Sequence, residues 1–192
     1  MDDLDLHARS GLPDALRVLV EHYPRARWQG HANFDGLTRF WLDRHLMFRR
    51  LQARLIGEAR GFLDGSVEAR RAAAGIARLG NLFLSELSAH HGVEDAHYFP
   101  LLARLEPGLH AGFALLDRDH HRLDGDLHAL AETANDALRG LQAPAGEAAA
   151  GRAAVGRLEA RLTGFERFLD RHLVDEEEIV VPVILKHGAG LG

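Results

Sequence analysis

The chain contains no cysteine, which excludes disulfides, iron–sulfur clusters and thiolate zinc sites and leaves the redox compartment undetermined. It has a single lysine, Lys186, and an excess of Asp and Glu that gives a formal charge of -5. No Lys/Arg cluster is concentrated enough to neutralise a phosphate backbone, so nucleic acid is not expected as a partner. No run of about 20 apolar residues occurs, so no membrane span is expected. The opening Met1-Asp2-Asp3-Leu4-Asp5 is acidic where a secretory signal would be basic and then apolar, and a cytoplasmic location is expected. Strand signals are nearly absent as well, because β-branched and aromatic residues alternate over no useful length.

What remains is helix. At 192 residues, with 46% hydrophobic and 27% charged, the chain is long enough for one domain with a sizeable core, and nothing in it forces a second. Apolar residues recur at helical spacing for most of its length. A first long helix is predicted from about Ala32 to Phe62, with Trp41, His45, Phe48, Gln52 and Leu55 on one stripe. Asp64-Gly65-Ser66 closes it, and Ser66 is a fitting N-cap for the next. The second helix places Ile76, Leu79, Phe83, Leu87, His90, Glu94, His97 and Leu101 on one face and ends at Glu106-Pro107-Gly108. The third carries Leu116, His120, Leu123, Leu127, Leu130 and Ala134. After a Gly/Ala-rich linker from Gly140 to about Gly151, the fourth carries Leu158, Leu162, Phe165, Leu169, His172, Glu176, Ile179 and Val183. The expected architecture is all-α, an up-and-down antiparallel four-helix bundle over residues 30–188 preceded by a short N-terminal helical extension, residues 1–29. In that extension, Gly11-Leu12-Pro13 through His22 is predicted as a short helix packed across one end, and Pro24-Arg25-Ala26-Arg27-Trp28 as a connector.

One pattern occurs twice on these seams: His90-x-x-x-Glu94 followed by Pro100, and His172-x-x-x-Glu176 followed by Pro182. Residues four apart share a helix face, so each copy aims an imidazole and a carboxylate at one point. Each proline removes a backbone donor beyond the Glu and is expected to kink or loosen its helix. With His45 and His120 also inward, four helices offer four imidazoles and two carboxylates. Any one of these histidines alone would ordinarily be a hydrogen-bonded core residue. The set is different, because burying Glu94 and Glu176 without compensation costs several kcal/mol each, and no helix offers a seam Arg or Lys at their level. A metal cation meets that need. The donor mixture suits iron, manganese or zinc and fits calcium or magnesium poorly. His97, one turn past Glu94, is either a hydrogen-bond donor behind the ligands or a structural core histidine, and Asp124, one turn after His120, is the best candidate for an additional ligand or for an acceptor behind the ligands. Asp95, Asp175, Glu177 and Glu178 are expected on a solvated acidic face, His91 and His121 toward solvent or the helix boundary, and Trp41, Phe48, Tyr98 and Phe99 in core packing.

The ordered set formed by Phe40-Trp41-Leu42-Asp43-Arg44-His45, His90-His91-Gly92-Val93-Glu94-Asp95-Ala96-His97-Tyr98-Phe99-Pro100, Asp119-His120-His121 and His172-Leu173-x-x-Glu176 resembles the hemerythrin HHE cation-binding family over about Gly30 to His187. The resemblance implies a bundle holding a non-haem di-iron centre with an oxo or hydroxo bridge. It makes His45, His90, His120 and His172 terminal ligands, and Glu94 and Glu176 bridges. Oxygen carriers of the family have a further histidine where this chain has Asp124, and a longer His-to-Asp spacing in the last helix. Both irons are therefore expected to keep an exchangeable position, and the chain resembles the bacterial members associated with nitric oxide, peroxide or oxygen response. Two rivals stand beside this. A ferritin-like di-iron oxidase would need Glu-x-x-His on two helices, and only Glu94-x-x-His97 supplies one. A metal-dependent sensor without catalysis would pass its output to a protein partner.

Overall fold

A computed structural model describes residues 4–188; Met1, Asp2 and Asp3, which carry part of the acidic opening, lie outside the described residues. Among the described residues there is no strand. The helices are α1 (Val18–His22), α2 (Gly36–Asp64), α3 (Ala69–Val93), α4 (Phe99–Leu105), α5 (His110–Gln142) and α6 (Ala148–His187). Single 3₁₀ turns occupy Asp14–Leu16, Pro107–Leu109 and Ala145–Glu147, and a longer one Arg25–Gly30. A π-helical turn, Glu94–Tyr98, joins α3 to α4 with αR backbone on both sides, so the second bundle helix is one rod with an extra residue inserted. None of the helices is long and apolar enough to cross a membrane. The result is the all-α four-helix bundle, with α3 and α4 together forming the second helix.

The chain divides into two compact units, each built from one stretch of every bundle helix. The first comprises residues up to Leu46, His90–Arg122 and those from Phe168 on; the second comprises Met47–Ala89 and Leu123–Arg167.

In the second unit the helices run antiparallel. Gln52 Nε2 donates to the Leu162 carbonyl at 3.0 Å and Arg60 Nε to Glu159 at 2.7 Å, residue numbers rising on α2 as they fall on α6. The predicted seam residues Phe48, Leu55, Ile76, Leu79, Phe83, Leu127, Leu158 and Leu162 are all buried. Each such side chain contributes roughly 1.5–3 kcal/mol of burial. Gln52 is tolerated on the seam because its amide satisfies a buried carbonyl. Ser66 does not start α3. Its hydroxyl donates to the Gly61 carbonyl and so closes α2, with Gly65 at φ 84° making the turn. The expected linker is also shorter than Gly140–Gly151, because both glycines lie inside helices, where they let α5 and α6 touch. A Cβ on Gly140 would lie 2.7 Å from the Gly151 Cα.

In the first unit, Trp41, Phe99, Leu102, Phe113, Leu116, Ile179 and Val183 form one core cluster, and Val20, Trp28, Val181 and Leu185 a second. The last four turns of α6 are buried nearly all round, Val180-Val181 and Ile184-Leu185 included. A helix so enclosed must be covered on its outer face, and the cover here is the N-terminal segment. Its Pro24–Trp28 stretch is an anchor more than a connector, since Trp28 is buried and its Nε1 donates to the Tyr23 carbonyl at 2.7 Å. The two prolines behave differently. Pro100 opens α4 directly after the π-helical turn, whereas α6 continues through Pro182 to His187.

Candidate metal centre

All six residues singled out from the sequence lie in the first unit and face one another. The stripe periodicity of α2 and α6 brings His45 and His172 inward, both fully enclosed, while α5 brings His120. Glu94 Oε1 lies 3.0 Å from His90 Nε2, and its Oε2 lies 3.6 Å from His120 Nε2. Glu176 repeats the arrangement, with Oε1 3.2 Å from His45 Nε2 and Oε2 3.5 Å from His172 Nε2. Each carboxylate thus spans two imidazole groups, one containing His45 and His90, whose Nε2 atoms are 3.3 Å apart, and one containing His120 and His172.

The second group has a member that the sequence reading sent to solvent or the helix boundary. His91 is 3% exposed, stacks on His120 at 4.0 Å and 12°, and meets His172 edge-on at 5.4 Å. Ligand atoms of His91, His120 and His172 lie within 4.8 Å of one another, as do those of His45, His90, Glu94 and Glu176. The signal was in the sequence. His90 precedes Glu94 by four residues and His91 by three, and both spacings share a face with Glu94. At the matching place on α6, Leu173 follows His172, so the asymmetry between the two groups is written into the chain.

The other expected contributors lie elsewhere. His97 is exposed, because the inserted residue of the π-helical turn shifts everything after Glu94 by one position, so that Tyr98 is half-buried in place of His97 and Leu102 is buried in place of Leu101. Asp124 is exposed. Trp41 does more than pack, since its Nε1 donates to Glu176 Oε1. The predicted acidic face is only partly solvated. Asp175 and Glu177 are buried against the N-terminal segment, while Glu178 and Asp95 are half-buried.

The outer edge of the cluster is polar and ordered. With each Nε2 turned inward, Nδ1 of His45 lies 3.0 Å from Glu177 Oε1, Nδ1 of His120 2.7 Å from Asp95 Oδ1, and Nδ1 of His172 3.4 Å from Asp119 Oδ2. Such carboxylates fix the tautomer and orientation of a metal-binding imidazole.

A metal fits this donor set on an observation of the protein itself. Both oxygens of Glu94, Oε2 of Glu176, Nε2 of His120 and of His172, and both ring nitrogens of His91 are buried without a hydrogen-bond partner among the described residues. Each such atom costs about 1–3 kcal/mol if left so, and seven of them on five neighbouring side chains are unlike a satisfied core. The buried Arg9 does not relieve them, because it pairs with Asp119 and Asp175.

The protonation pattern agrees. Burial and the Glu176 carboxylate push Glu94 well above the usual carboxylate range. Burial acts in the same sense on Glu176, but the neighbouring imidazoles, His45 foremost, overcome it and hold that carboxylate ionised. His45 is pushed up to about 9, its burial outweighed by Glu176 and Glu177. Burial lowers His90 to about 3 and holds His91 and His172 below the ordinary imidazole value. The metal-free cluster therefore carries a neutral Glu94, a Glu176–His45 ion pair and neutral His90, His91 and His172, the form in which those three bind a metal.

No curated protein and no solved structure matches the chain. The family model described as Hemerythrin HHE cation binding domain matches residues 36–184, a span that begins at α2 and holds every residue of the two imidazole groups and both carboxylates. The chain belongs to the hemerythrin HHE cation-binding domain family and carries its metal-binding domain.

Proposed function

We propose that the protein is a non-haem di-iron protein that binds or reacts with a small ligand, dioxygen, nitric oxide or peroxide, in oxidative or nitrosative stress response or sensing. The observation that carries this is the span of each carboxylate. One oxygen of Glu94 and one of Glu176 face His45 and His90, and the other oxygen of each faces the group of His120 and His172. Two positions sharing both acids are the arrangement of a bridged metal pair. His45 and His90 would hold one ion, His91, His120 and His172 the other, and Glu94 and Glu176 both.

Counting donors refines the expectation that both ions stay open. Three imidazoles and two carboxylate oxygens nearly fill one position, whereas two imidazoles and two carboxylate oxygens leave room at the other. An iron pair, when bound, supplies redox chemistry and an exchangeable coordination position. The chain's own residues decide where that position is reached. His90, 10% exposed in its side chain, is the least enclosed of the ligands, against 0% for His45 and His172 and 2% for His120. Trp41 holds Glu176 in orientation and fills the side between His90 and Tyr98. Leu102, Leu116 and Ile179 in the adjoining core exclude bulk water. The ferritin-like alternative loses its one Glu-x-x-His copy, because His97 is exposed.

The test is metal analysis after expression in iron-replete medium, with an optical spectrum of the reduced protein before and after nitric oxide or oxygen. Two irons per chain and a new absorption band on adding ligand are expected. Tightly held zinc or manganese with no spectral response to either gas would overturn the reading.

A further inference from the structure

The family domain begins at residue 36, yet carboxylates around the cluster are met by arginines from outside it, with Arg171 of the domain itself sharing Asp175. Asp119 and Asp175, both buried, converge on Arg9. Its Nε donates to Asp175 Oδ2 at 2.8 Å, its Nη1 to Asp119 Oδ1 at 2.8 Å, and its Nη2 to Asp119 Oδ2. Asp119 is the carboxylate facing Nδ1 of His172. On the other side, Arg25 Nη1 reaches Glu177 Oε2 at 2.5 Å, and Glu177 is the carboxylate facing Nδ1 of His45.

The segment that carries these arginines is firmly seated. Leu6, Leu12 and Trp28 are buried, His7 stacks on Phe168 at 3.8 Å, and Arg171 donates to the Ser10 carbonyl at 2.9 Å. The Arg9 side chain is 2% exposed, so burying it carries a desolvation cost that its two carboxylates and the Leu4 carbonyl offset.

We infer that Arg9 and Arg25 of the N-terminal segment are positioning residues of the metal centre, each holding the carboxylate that orients a ligand imidazole and tempering its charge, so that the segment is part of the site and not an appendage to it. This rests on the proposed metal pair. A carboxylate facing an imidazole Nδ1–H raises that ligand's basicity, and a guanidinium on its far side draws charge away. Removing the guanidinium leaves a more electron-rich ligand and one more negative charge near the metals. Both favour the oxidised centre and lower its reduction potential.

The experiment uses the full chain loaded with iron. Reduction potential is read by spectroelectrochemistry and iron loss by release to a ferrous chelator, for wild type, R9Q, R25Q and the charge-balanced R9Q/D119N. We expect R9Q to shift the oxidised-to-reduced ratio about tenfold toward oxidised at fixed potential, about 59 mV for one electron. R25Q, whose arginine side chain is 48% exposed, should shift it less in the same direction. In potential R9Q/D119N should return near wild type, its net charge being restored, which a purely structural loss would not do, whereas iron release should stay faster because Asp119 no longer orients His172. Should R9Q fail to fold by circular dichroism, R25Q and the double variant carry the same comparison. Potentials and release rates equal to wild type in the variants, or a double variant displaced in potential as far as R9Q, overturn the inference while leaving the metal pair standing. A wild type that takes up no iron overturns the proposed function, and this inference with it.

Discussion

Replacing His91 with leucine should move stability in opposite directions with and without metal. In the metal-free protein both ring nitrogens of His91 are buried without partners, and each such atom costs about 1–3 kcal/mol. A leucine of similar bulk removes that penalty but forfeits the stacking on His120 at 4.0 Å, and shape mismatch on such a swap costs under about 1.5 kcal/mol. The net expectation is a gain of about 1–2 kcal/mol, which for a chain of this size raises Tm by about 2–4 °C per kcal/mol. With metal the sign reverses. Losing one of three imidazoles from its group should weaken that position by about 100-fold, and ligand-linked stabilisation then falls by about 2.7 kcal/mol at the same free metal. The assay is calorimetry of wild type and H91L, stripped and reloaded, with metal content measured on the same samples. A metal-free H91L that melts below wild type, together with unchanged metal retention, would refute the assignment and return His91 to simple packing.

The metal-free protein should be most stable near neutral pH. Its raised His45 contributes stability below the ordinary value of 6.5 that is lost as pH rises through about 9, the raised Glu94 adds loss on the same side, and the lowered His90, His91 and His172 lose stability as pH falls below 6.5; melting across pH 5 to 9.5 checks this, and stability rising from 6.5 to 9 would contradict it. Metal loading should release about two protons per chain at neutral pH, from Glu94 and His45, read by calorimetry in buffers of different ionisation enthalpy. In the metal-free protein E94Q should lie within about 1 kcal/mol of wild type, because Glu94 is already neutral, whereas E176Q breaks the buried pair with His45 and should cost about 3 kcal/mol; both should lose metal, and equal metal-free melting of the two would disprove the protonation pattern. G140A must push its Cβ against the Gly151 backbone and should cost about 1–3 kcal/mol with metal content unchanged, checked by denaturation and metal analysis.

The helix seams were legible in the sequence because they obey one period. From Ile76 to Glu94 every predicted inward residue of α3 points inward, and so do Trp41, His45, Phe48 and Leu55 on α2. The prediction fails at His97 and Leu101, where one inserted residue changes the period from 3.6 and no composition signal announces it. Gly140 and Gly151 appeared to be linker because glycine punctuates loops more often than it sits at a helix contact. At the site, the four-residue spacing from His90 to Glu94 points His91 outward, although the three-residue spacing from His91 to Glu94 serves equally. Asp175 and Glu177 belong on a solvated face by local pattern, Asp175 even having the helix neighbour Arg171, but the arginines that bury them, Arg9 and Arg25, are more than 150 residues away in sequence, a separation no local pattern reports. The Val180-Val181 and Ile184-Leu185 pairs were the available hint, since a helix with solvent on one side does not carry apolar residues on both.

Anomalous diffraction at the iron absorption edge, on crystals of iron-loaded protein, bears most directly on the claim that the two acids span a metal pair. Two peaks per chain are expected, one beside His45 and His90 and the other beside His91, His120 and His172, both touching Glu94 and Glu176. A single peak, or peaks away from the two carboxylates, would contradict it.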